Sequence, residues 1–147
     1  MNDRAVSSTL NYVLSLAIAA LLVTGLLIAS GSFVEDRQEQ VVRSELRVIG
    51  QQVAADIARA DRLVTASDDP STATVDIAQQ FPSRITGTTY RLTLVEQPEP
   101  ELVLRSTSPE VVVTVGVQNR TSVSESSVDG GTVVVAYDGT DLEVRND

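Results

Sequence analysis

The chain has no cysteine, no histidine, no tryptophan and no lysine. Without cysteine there are no disulfides and no thiolate, so cysteine usage leaves the redox compartment open. Without histidine there is no imidazole base, and with both missing there is no His or Cys ligand for zinc or copper. All 11 basic residues are arginine, and 20 acidic residues set the net charge at −9. Phosphate contacts need basic clusters, so no nucleic-acid partner is expected. No glycine-rich phosphate cradle is present. Asp68-Asp69 and Asp129 are grouped carboxylates that could pair or hold calcium, but carboxylates at turns ordinarily serve the turn and the solvent. The composition therefore predicts no enzyme, no catalytic residue, no cofactor and no metal site.

What is present starts with an uncharged run of 29 residues, 6–34, preceded by a five-residue leader, 1–5. About 20 apolar residues suffice to cross a hydrocarbon core. Its richest part, from Val13 to Val23, holds no proline and reads as helix. Ala29-Ser30-Gly31-Ser32 has the small residues of a signal-peptide cleavage site, but the run is long for a signal peptide and passes into a charged helix without a spacer. Retention as a membrane helix is the expectation. Arg4 before the run, and Glu35, Asp36, Arg37 and Glu39 after it, favour a cytoplasmic N-terminus and an extracellular remainder.

An amphipathic extension follows over 35–66. Val42, Leu46, Ile49, Val53, Ile57, Ala60 and Val64 recur at steps of four and three, a narrow helical stripe. Glu39 with Arg43 and Asp56 with Arg59 can pair across one turn. Gly50 is the weak residue inside, costing about 1 kcal/mol relative to alanine. Ser67-Asp68-Asp69-Pro70 ends the pattern. Unbroken from Val6 to Val64, the helix would reach about 90 Å.

Over 67–147 β-branched runs alternate with turn residues. Strands are predicted at Ala73–Ala78, Thr88–Val95, Glu101–Thr107, Glu110–Val117, Gly131–Tyr137 and Asp141–Arg145, with Thr121–Val128 either an edge strand or a loop. Asp138-Gly139-Thr140 signals a hairpin. The fold class is α+β: a long N-terminal helix whose amphipathic half covers one antiparallel sheet of five to seven strands. Residues 65–147 hold 13 acidic and 5 basic side chains, a net of −8, whereas 35–64 is nearly balanced at 6 to 5. Such an acidic surface is a solubility device that halophiles use, and it points to a high-salt organism.

The order of parts resembles archaeal type IV pilins and archaellins, specifically haloarchaeal pilin-like proteins. Arg4-Ala5-Val6-Ser7 is similar to their opening pattern. The resemblance implies a prepilin-peptidase-like enzyme that recognises Arg4 and Ala5 and cuts before Val6. It also implies partners: the membrane before assembly, and other pilin-like subunits through the N-terminal helix. Ser8-Thr9-Leu10-Asn11 replaces the proline-containing stretch of major pilins, and Leu10 stands where bacterial pilins have glutamate, which suits a minor subunit. A second local resemblance runs from Phe81 to Leu92, where Pro82, Ile85, Gly87 and Tyr90 open the β region.

Small residues in the run, Ser15, Ala19, Ala20, Gly25 and Ala29, would let helices approach closely. Asn119-Arg120-Thr121 is the one N-glycosylation sequon, making Asn119 a candidate for surface decoration. Two functions fit the topology: a structural subunit of a pilus-like surface filament, or a single-pass anchored protein whose extracellular β domain binds a partner or ligand.

Overall fold

The computed structural model describes residues 3–96 and 98–147, with side chains from Thr9 onward except Ser32. Helix α1 spans Asp3–Thr65 and contains Gly31 without interruption. The chain divides into two compact units, Met1–Arg37 and Gln38–Asp147.

In the second unit the predicted stripe is the buried face of the helix. Val42, Leu46, Ile49, Val53, Ile57, Ala60 and Val64 all lie in the core with the sheet residues, while Gln40, Glu45 and Gln52 on the other side are exposed. Gly50 faces the sheet as well. A β-carbon there would meet Leu104 Cδ1 and Val115 Cγ2, each at 2.8 Å. The residue that weakens the helix in isolation thus allows its close approach to the sheet. The Glu39–Arg43 pair forms at 2.5 Å. The Asp56–Arg59 pair does not close as an ion pair among the described residues; burial pushes the Asp56 carboxyl up, and the Arg59 charge offsets that only in part.

The helix ends at Thr65, just before Ser67-Asp68, and the Asp69 carboxylate accepts from the Ser71 backbone N–H at 3.1 Å to cap a short 3-10 helix, Pro70–Thr72. Eight strands follow among the described residues: β1 Val75–Gln80, β2 Arg84–Ile85, β3 Thr88–Val95, β4 Glu101–Thr107, β5 Glu110–Gly116, β6 Ser126–Asp129, β7 Thr132–Tyr137 and β8 Leu142–Asn146. They form two antiparallel sheets rather than the single one expected. One has the order β1-β7-β8; the other has the order β2-β3-β4-β5, with β6 also on β3. β6 and β8 run side by side but are joined through side chains. Asn146 Nδ2 donates to the Asp129 carbonyl at 3.0 Å, and the Val144 N–H donates to Ser126 Oγ at 3.0 Å. Without a backbone ladder there, the sheets remain distinct.

Strands β3 and β4 have the predicted ends. β1 begins two residues later than expected because the Ala73 N–H is committed to the Pro70 carbonyl, closing the 3-10 turn. The ambiguous segment 121–128 divides. Ser122 and Ser124 bracket Leu142 by backbone bonds of 2.9 Å, and pairing with β3 begins only at Ser126. Thr86 and Gly87 join the two-residue strand β2 to β3 with positive φ at both positions, the requirement of a type I′ hairpin.

Two tyrosines fasten the ends of the sheets. Tyr90 is buried and donates to the Pro82 carbonyl at 2.7 Å, its hydroxyl pKa pushed up to about 12 by burial. Its ring fills the space beside Gly130, where a β-carbon would lie 2.6 Å from the ring. Tyr137 donates to the Pro70 carbonyl at 3.1 Å.

Candidate functional surfaces

From Leu10 to Val34 every large apolar side chain is at least half exposed, from Ile18 at 50% to Leu21 at 72%. The segment buries none of them within its own chain, and its helix is long and apolar enough to cross a membrane. Two of its hydroxyls are prepared for apolar surroundings: Ser15 Oγ donates to the Asn11 carbonyl at 2.9 Å and Thr24 Oγ1 to the Ala20 carbonyl at 2.8 Å. Back-bonding of this kind removes a polar group that hydrocarbon would penalise. A β-carbon at Gly25 or Gly31 would meet open space, so neither glycine serves packing inside the chain. Beyond this segment the helix keeps exposed valines at Val41 and Val48, seven residues apart, in register with Val34.

The expected processing residues Arg4, Ala5 and Val6 lie on helical backbone. Their side chains, and the leader residues Met1 and Asn2, lie outside the described residues.

Asn119 sits in the loop that meets the end of α1, and the side chain of this loop's anchor is Asp61. Asp61 is 7% exposed, and its Oδ1 accepts from the backbone N–H groups of Arg120 at 3.0 Å and Thr121 at 2.8 Å. Burial alone would raise its pKa, but the hydrogen bonds from Thr121 and Arg120 and the nearby Arg120 charge hold the carboxyl below its usual range. Asp61 follows Ile57 by one helical turn on the buried face, so an acid interrupting the apolar stripe was the available signal for this clamp. Within the loop, Asn119 Nδ2 donates to the Thr121 carbonyl at 2.6 Å. Its Oδ1 is buried and without a hydrogen-bond partner. The atom that would carry a glycan is therefore engaged in the folded loop. An open cleft of about 800 Å³ lies alongside, bounded by Asp61, Arg62, Thr65, Gln118, Asn119 and Arg120.

The grouped carboxylates have separate tasks: Asp69 caps the 3-10 helix, and Asp129 pairs with Arg91 at 2.8 Å. Among the described residues no group of three or more acidic side chains has the arrangement to hold a metal ion.

The chain belongs to a family of unknown function, DUF7266, whose model matches residues 1–146. No curated protein and no solved structure matches it significantly.

Proposed function

We propose that this member of the family is a structural subunit, of minor-pilin type, in an archaeal type IV pilus-like surface filament. It is inserted in the membrane with its N-terminus cytoplasmic and its β domain outside, processed after Ala5, and transferred into the filament. The observation that carries this reading is the unshared apolar surface of residues 10–34. Lipid covers that surface before assembly, and the corresponding helices of neighbouring subunits cover it afterwards. The amphipathic half of α1 has its apolar stripe committed to its own sheets, so a folded domain persists while the lipid-facing half changes surroundings. Removal of the leader with Arg4 takes away the polar group on the cytoplasmic side and eases extraction.

The alternative, an anchored extracellular β domain, draws on the same topology and on the open face of the larger sheet. Shearing intact cells separates the two. A filament subunit leaves with the sheared surface material, whereas an anchored protein stays in the membrane pellet. A second arm substitutes Arg4 or Ala5 with glutamate, which should leave unprocessed precursor in the membrane and none in the sheared fraction.

A further inference from the structure

The outward face of the larger sheet has an arrangement of charge that its own fold does not balance. Strand register sets one row across it as Asp129, Arg91, Arg105 and Val112, on β6, β3, β4 and β5 in turn. The next row is Ser127, Thr93, Val103 and Thr114. Arg91 and Arg105 are thus direct cross-strand neighbours, and like charges in that position oppose pairing. Asp129 relieves only one of them. It accepts from Arg91 Nε at 2.8 Å and Nη2 at 3.3 Å, using both carboxylate oxygens. Arg105 has no ion pair among the described residues, although 13 acidic side chains lie within 65–147. A concavity of about 500 Å³ lies over these residues, bordered also by Thr89, Thr93, Val95 and Val103.

The lining restricts what fits. A free guanidinium fork beside a second one matches a carboxylate in geometry and charge. Threonine hydroxyls at 89, 93 and 107 supply donors and acceptors along the same face, over an apolar strip of Val95 and Val103. An extended peptide would seek a strand edge for backbone pairing, which the middle of a sheet face does not offer. A nucleobase would seek aromatic stacking, and the only aromatic side chain bordering the concavity, Tyr90, is buried with its hydroxyl committed to Pro82. The volume falls within the usual range for small ligands.

We propose that this face binds an acidic saccharide, with Arg105 gripping a carboxylate, Arg91 reinforcing it, and the threonines meeting ring hydroxyls. The site depends on the β domain alone and stands under either reading of the whole protein.

Isothermal titration of the full chain in detergent micelles tests it, with digalacturonate as probe, lactose as the neutral disaccharide and acetate as the bare carboxylate. Saturable digalacturonate binding is expected, weakened about tenfold or more in Arg105→Gln, the scale of one lost charge-assisted pair. Arg91→Gln weakens it less, and Arg145→Gln, which removes the same charge from an arginine on β8, leaves it unchanged. Arg105 is exposed and makes no ion pair among the described residues, so its variant should keep the parent's circular dichroism. Any of four results overturns the proposal: no saturation at millimolar digalacturonate, equal binding of lactose, acetate binding as tightly as digalacturonate, or the same loss in Arg145→Gln as in Arg105→Gln.

Discussion

Gly50 shows how a single residue can be unfavourable locally and required globally. Alanine there would gain about 1 kcal/mol of helix propensity. Its β-carbon, however, would come within 2.8 Å of both Leu104 and Val115. Val115 is β-branched and Leu104 fully buried, so neither moves aside cheaply, and overpacking of this kind costs about 1–3 kcal/mol. Gly50→Ala is therefore expected to be neutral to about 2 kcal/mol destabilising, read as a lowered thermal midpoint. A gain in stability would mean that the helix does not press on the sheet at this point. Asp61 carries the second residue-scale expectation. Its carboxyl titrates below the ordinary value near 3.9 of an unfolded aspartate. A depressed folded pKa contributes stability that is complete above the unfolded value and lost as pH falls through the folded one. Asp61→Ala should cost about 1–3 kcal/mol at neutral pH, because the backbone N–H groups of Arg120 and Thr121 lose their acceptor. It should also flatten the acid limb of a stability-versus-pH profile below about pH 4, and an unchanged limb would exclude the clamp.

At the scale of elements, the amphipathic half of α1 is a lid fastened along one stripe. Leu46 is fully buried, so Leu46→Asp should destabilise by about 3 kcal/mol or more, as an unpaired buried charge does. Gln52→Ala on the exposed side should stay within about 0.5 kcal/mol. Similar small effects at both positions, measured by denaturant unfolding, would turn the lid into a solvated stalk. The stripe was legible in the sequence because a helix of period 3.6 against one flat partner repeats a single rule from Val42 to Val64. Strands β3 and β4 were legible because alternation and turn residues coincide at their ends. The division into two sheets was not, since it depends on Asn146 and Ser126 side chains joining β6 to β8 in place of a backbone ladder. The arginine row was hidden for a related reason. Arg91 and Arg105 lie on different strands, and only register makes them neighbours.

At the scale of the molecule, charge and apolar surface are kept apart. Residues 6–34 carry no formal charge, and 65–147 carry a net of −8. Of the acids in the second segment, only Asp76 and Asp129 form ion pairs among the described residues. The remainder repel one another, and that repulsion lengthens in reach from about 3 Å at 1 M salt to about 30 Å at 0.01 M. The full chain in neutral detergent should accordingly melt at a higher temperature as salt rises. A midpoint independent of salt would show that the acidic excess is not a stability determinant.

The apolar surface belongs to the central claim, that the protein moves from membrane to filament after losing its leader. Mass spectrometry of the amino-terminal peptide, on protein taken from the sheared surface fraction of the cells that make it, tests this most directly. A chain beginning at Val6 is expected; an intact Met1 on the filament-associated protein would contradict the transfer.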